Sequence, residues 1–122
     1  MGRSGPETTV VRDLARRLEG VGALALKVHG HLMQEAGWPD LYVAHRTFHG
    51  WIEVKSGDRT LTALQRVRIG QIRARGVPAL VVRGRDGVLT VEDVDGATVA
   101  TLPEEASRLL SRLAVLARTA LI

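Results

Sequence analysis

The chain has 122 residues, of which 45% are hydrophobic and only 3% aromatic, so it reads as one domain spanning 1–122 with a core of Leu, Val, Ile and Ala. It has no cysteine, which excludes disulfides and Cys-based zinc sites, and no apolar run nears the roughly eighteen residues of a membrane span. The formal charge of +4 is written almost wholly as arginine, which favours polyanionic partners, and the start MGRSGPETT lacks the apolar segment of a secretion signal, so a soluble cytoplasmic protein is expected.

In chain order, Ser4-Gly-Pro-Glu7 has the form of a capping box, and Val10, Val11, Leu14 and Leu18 follow at helical spacing, predicting a helix over 6–18 that Gly20 stops. A first strand is expected over 23–29. Residues 41–45 and 51–55 then read as two antiparallel strands joined by a turn at 46–50. A second helix is expected over 61–75, capped by Thr60 or Thr62 and ended by Gly76. Residues 79–82 form an apolar strand of the buried kind. The turn signals Asp86-Gly87 and Asp95-Gly96 set off two short strands, 88–91 and 97–99. Thr101-Leu-Pro-Glu104 repeats the capping-box form before a leucine-rich closing helix, whose excess of Leu109, Leu110, Leu113, Leu116 and Leu121 reads as half core cover and half dimer interface. The fold class is therefore α/β, with a mixed central sheet in αβββαβ order and a C-terminal hairpin and helix.

The third expected strand carries the chemistry. Glu53 and Lys55 are two apart, so they share one face with Cα atoms about 6.8 Å from one another, while Ile52 and Val54 take the core face. With the turn near Arg46 and Thr47, Asp40 comes opposite Glu53 or Lys55, where facing side chains sit about 5 Å apart at Cβ. Two carboxylates that close repel unless a cation or a proton lies between them. Asp40, Glu53 and the carbonyl of Val54 make the partial oxygen shell that suits Mg²⁺, and Lys55 beside it can orient or deprotonate a water and stabilise charge growing on a phosphate. A plain cross-strand salt bridge between Lys55 and either carboxylate accounts for the hairpin equally well.

Gln65 falls on the apolar stripe of the second helix, four residues from Leu61 and from Ile69, where its amide needs a buried partner; a ligand in the site or a satisfied core position both provide one. Glu7 shares a helix face with Val11 and Leu14 and so can point inward, and it is equally well placed for the capping box with Ser4.

Taken together, G-x-PD, a short hairpin, E-V-K and L-T-x-x-Q on the following helix resemble the PD-(D/E)xK nuclease superfamily, in detail the small stand-alone VRR-NUC type of phages and bacteria. The residues that carry the likeness are Glu7, Gly37, Pro39, Asp40, Glu53, Val54, Lys55, Leu61 and Gln65, within a motif-bearing core at about 6–83; the hairpin and helix at 84–122 lie outside it. The resemblance implies a restriction-endonuclease-like core and a metal-dependent endodeoxyribonuclease in a bacterial or phage-infected cell. It implies that Asp40 and Glu53 bind Mg²⁺, with Mn²⁺ substituting, that Lys55 serves the attacking water, that Glu7 completes or supports the metal shell, and that Gln65 positions a ligand or DNA. Selectivity for branched or junction DNA, a 5′-phosphate product and a homodimer are further implications.

His31, in the approach to Asp40, Trp38 as a stacking residue, and Arg68 on the Gln65 side of the second helix are candidate DNA contacts; Trp38 reads equally well as a core anchor. Arg66, Arg73 and Arg75 are explained either as a phosphate-contacting patch or as a solvated helix surface. The competing function is a nucleic-acid-binding or assembly module that keeps the nuclease fold without cleaving.

Overall fold

The computed structural model describes residues 6–28 and 36–119. Its elements are α1 (Pro6–Glu19), β1 (Leu24–Lys27), β2 (Leu41–Ala44), β3 (Gly50–Ser56), α2 (Ala63–Ala74), β4 (Ala79–Arg85), β5 (Val88–Glu92), β6 (Thr98–Thr101) and α3 (Ala106–Thr119). The six strands form a sheet in the order β1-β2-β3-β4-β5-β6. Neighbours are antiparallel except β3 and β4, whose parallel pairing needs the crossover that α2 provides. This is the mixed α/β, αβββαβ plan with a closing hairpin and helix. Among the described residues no helix is long and apolar enough to cross a membrane.

The period-two alternation of β3 and β4 divides the sheet into two unlike faces. Ile52, Val54, Leu80 and Val82 point to one, where the stripe Val11, Leu14, Ala15 and Leu18 of α1 and the leucines of α3 close the main core. Leu14, Leu18, Leu41, Ile52, Leu109 and Leu113 are wholly buried there, each burial stabilising the fold by about 1.5–3 kcal/mol. The opposite face takes Ile69 and Ile72 of α2 against Ala79 and Val81, with Trp38, Trp51 and Leu61 packed around them. The register pairs Leu24 and Leu26 with Ala44 and Tyr42, and Tyr42 with Trp51, placing both leucines on this second face. Because α2 lies over β4, Leu24 and Leu26 stay 75% and 62% exposed.

Several boundaries differ from the sequence expectation for local reasons. Helix α2 begins at Ala63, not Leu61, because Thr62 is the N-cap; Gly76, at φ +80°, ends it as expected. Thr101-x-x-Glu104 does not open α3: Thr101 pairs with Thr90, Leu102 N–H donates to Leu89 O at 2.8 Å, and the helix starts at Ala106. The leucines offered for a dimer interface, Leu109, Leu110, Leu113 and Leu116, are buried in the main core; Leu121 lies outside the described residues, as do Ser4 of the first capping box and His29 at the end of the expected first strand. Gly50 allows β3 to run close to β4: Trp51 N–H donates to Pro78 O at 2.9 Å, and a Cβ at position 50 would meet that oxygen at 2.8 Å.

Candidate active site

Strand β3 outruns its antiparallel neighbour. It pairs with β2 only through Ile52, because β2 begins at Leu41, while its pairing with β4 continues to Ser56. Beyond Ile52 the β2-side edge of β3 would carry an unsatisfied N–H. Asp40 fills that place: its Oδ2 accepts from Val54 N–H at 2.8 Å. Its own carbonyl accepts from Val28 N–H at 2.7 Å, so both ends of the residue are fixed. The opening in the sheet and the carboxylate that lines it thus have a single cause, the late start of β2 at Leu41.

The segment before Asp40 is shaped for this. Gly37 has φ +93°, and a Cβ there would meet Leu64 Cγ at 2.8 Å; glycine admits both the left-handed backbone and the close approach to α2. Pro39 follows, buried. Continuing the β2–β3 register by one residue sets Asp40 against Glu53, and the two carboxyls are close enough to share a hydrogen bond.

Glu53 and Lys55 lie on the α2 side of the sheet, each 3% exposed, with Lys55 Nζ 3.8 Å from Glu53 Oε2. Burial, then the charge of Asp40, push the Glu53 carboxyl up to about 8. Asp40 is also raised, chiefly by burial, although the Val54 N–H opposes this. A proton or a cation between them relieves the repulsion of two carboxyls so placed. Glu7, in the first turn of α1, contributes charge to both, and a small cleft is lined by Glu7, Thr8, Val11, Val28 and Asp40. The Oε2 of Glu7 is buried without a hydrogen bond and lies 3.5 Å from Arg59 Nε.

The donor set fits a hard divalent cation: two converging carboxylates, a third nearby, and no soft ligand. Among the described residues no three acidic or imidazole side chains are gathered as a ready-made metal cluster. One or two carboxylates completed by waters and phosphate oxygens is the usual Mg²⁺ arrangement.

Other candidates are placed differently from expectation. Gln65 is the N3 residue of α2: its Oε1 accepts from Thr62 N–H at 2.9 Å and its own N–H donates to Thr62 Oγ1 at 3.1 Å. The partner its amide needs is therefore the helix terminus, a reciprocal capping box that helical periodicity alone does not separate from an inward-facing position. Replacing Gln65 with Ala is expected to lower stability by about 0.5–1 kcal/mol, measured by urea unfolding.

Trp38 is half-buried against Trp51, ring centroids 5.3 Å apart, and Arg68 lies over it at 4.4 Å. Core anchoring and stacking both describe it, and Arg68 stands on the Trp38 side of the helix. Arg66, Arg73 and Arg75 are engaged within the fold, bonding Asp95 at 2.8 Å, Ala79 O at 2.9 Å and Gln71 O at 2.8 Å. His31 lies outside the described residues. The sequence reading did not single out Arg59 beside Glu7, nor the buried pair of Arg83 and Glu92 on the Lys55 face, with Arg83 Nε to Glu92 Oε2 at 2.5 Å. An arginine at an alternating position of a buried strand was the available signal for Arg83.

No protein-family model and no curated protein matches the chain. Among solved structures it is similar to Hjc of Archaeoglobus fulgidus, a Holliday junction resolvase from an archaeal hyperthermophile, with a TM-score of 0.59 and 21% identity, over 88% of this chain and 98% of that one. A likeness at that identity establishes the fold, and the six-stranded sheet flanked by helices is a restriction-endonuclease-like core.

Proposed function

We propose that the protein is a metal-dependent endodeoxyribonuclease of the PD-(D/E)xK kind that hydrolyses phosphodiester bonds in branched DNA. The observation that carries this reading is the half-buried Asp40 facing the buried Glu53, with Lys55 Nζ at 3.8 Å from Glu53, set just before β2 begins. Hjc, a solved structure that it resembles, is a Holliday junction resolvase, which supports four-way and branched DNA as the substrate class.

Asp40 and Glu53 hold the cation, Mg²⁺ or Mn²⁺, which when bound supplies Lewis-acid stabilisation of the phosphoryl charge. Val54 N–H fixes the orientation of Asp40. Lys55 orients the attacking water and stabilises the negative charge that gathers on the phosphate oxygens. The water oxygen bonds to phosphorus, the bond to the 3′-oxygen breaks, the water proton passes to solvent or the leaving oxygen, and a 5′-phosphate remains. Glu7 tunes the field at both carboxylates from α1, and Trp38 with Arg68 flanks the site. In this reading Gln65 acts by fixing the start of α2. A homodimer belongs to the same reading, with the open β1–β2 face at Leu24 and Leu26 as the surface available to a second copy.

The test is cleavage of linear duplex, single strand, flap and four-way junction with Mg²⁺, Mn²⁺ or chelator, with Asp40→Asn alongside. Metal-dependent cutting that is strongest on the junction and lost in the variant is expected. The second reading is a binding module that keeps the fold without cleaving. Tight metal-independent binding with no cutting would establish it.

A further inference from the structure

Beside Lys55 on the same sheet face stands Arg83, its register partner on β4. Its guanidinium is filled. Nε and Nη2 donate to the Glu92 carboxylate at 2.5 and 3.1 Å. Nη1 donates to Gly57 O and Nη2 also to Arg59 O, both at 2.7 Å. Two of these bonds therefore leave the ion pair and grip the main chain just after Lys55. Arg85 adds a bond to Asp58 at 2.9 Å, and Arg59 N–H donates to Ser56 O at 3.3 Å. Residues 57–60 are exposed and belong to no helix or strand, and this buried couple, with Arg85 bonded to Gly57 O and Asp58, fixes their course. Held that way, Arg59 keeps its side chain 72% exposed while laying Nε 3.5 Å from Glu7 Oε2, at the rim of the carboxylate site.

We infer that Arg59 is a phosphate-contacting residue for DNA, parked on Glu7 in the free protein and aimed by the Arg83–Glu92 couple. The inference rests on the nuclease reading. The guanidinium end of the pair lies open to solvent, so Arg59 can turn from the buried Glu7 oxygen to a phosphate, whose paired oxygens a guanidinium suits. The exchange has a second effect: once Arg59 has turned to the DNA, the Glu7 charge is released toward Asp40 and Glu53, which makes the site more attractive to a divalent cation. Arg59 therefore weakens cation binding in the free protein and strengthens DNA binding. Arg83 and Glu92 are positioning residues that act through it.

The two effects have opposite signs, which general damage to the fold does not reproduce. In Arg59→Gln, Mn²⁺ affinity of the DNA-free protein, followed by electron paramagnetic resonance, is expected to rise several-fold. The KM for a four-way junction is expected to rise about tenfold, the loss of one charge-assisted phosphate contact, and Arg59→Lys to recover part of it. Arg83→Met alone strands a buried Glu92, so the couple is removed whole in Arg83→Met/Glu92→Leu, which preserves packing. That double variant is expected to stay folded by circular dichroism and to reproduce both Arg59→Gln shifts. Mn²⁺ affinity and KM both unchanged in Arg59→Gln, or both weakened, would overturn the inference. If the wild-type protein neither binds Mn²⁺ nor cuts, the nuclease reading fails separately. DNA affinity in chelator then decides for Arg59: a tenfold loss in Arg59→Gln supports the contact, and unchanged affinity removes it.

Discussion

Glu53→Gln is expected to abolish metal-dependent cleavage while making the metal-free protein more stable at and above neutral pH. The two effects have one origin. Glu53 is 3% exposed and its carboxyl is raised from an ordinary value of 4.5 to about 8, first by burial and then by Asp40. The folded protein therefore binds this proton more tightly than the unfolded chain does. Below about 4.5 both states are protonated and the contribution is complete; it declines as pH rises between 4.5 and 8 and is gone above that. Metal-free wild type should lose stability across this window, on the order of 1 kcal/mol per pH unit at most. The amide has the same shape, no proton to lose and no anionic oxygen to give a cation. Urea unfolding from pH 5 to 9 without metal should show a slope for wild type and a much flatter profile for the variant. Cleavage should fall by about a thousandfold. An active Glu53→Gln, or parallel pH profiles, would contradict the role assigned to this carboxyl.

Lys55→Met is expected to cost as much activity with little change in fold. The side chain is 3% exposed beside a carboxyl that is largely protonated near neutral pH, so removing the ammonium does not strand a full buried charge. Methionine keeps the length and apolar contacts of the lysine stem. The loss should therefore appear in kcat, about a thousandfold, with junction affinity nearly retained, because Lys55 acts on charge that develops during the reaction. Activity within about tenfold of wild type would reduce Lys55 to the cross-strand salt bridge that the hairpin alone also permits.

Much of the scaffold was legible because periodicity and burial agree. The α1 stripe Val11, Leu14 and Leu18 faces the core, and the alternation in β3 puts Ile52 and Val54 opposite to Glu53 and Lys55. Asp40 could be placed across from Glu53 or Lys55 because a short hairpin leaves little freedom of register, and the observed pairing selects Glu53. Gln65 was harder to place, since residue N3 of a helix and an inward-facing residue differ only in where the helix starts, and Leu61 extends the apolar pattern past the true cap at Thr62. Thr101-x-x-Glu104 failed for the converse reason: strand pairing with Thr90 outweighs local capping chemistry. Arg83 escaped notice because the strand looked finished at Val82, and an arginine before a glycine and an Asp-Gly turn reads as surface; its meaning depends on Glu92 and on two carbonyls after Lys55. Such partners come from tertiary contact and have no signature at fixed sequence spacing.

Whether Asp40 and Glu53 form one divalent-cation site is tested most directly by Mn²⁺ titration of the DNA-free protein followed by electron paramagnetic resonance. Wild type should take up one ion, and Asp40→Asn/Glu53→Gln should lose at least about tenfold in affinity while remaining folded. Equal Mn²⁺ binding by the two proteins, or none by wild type at millimolar metal, would contradict a shared site.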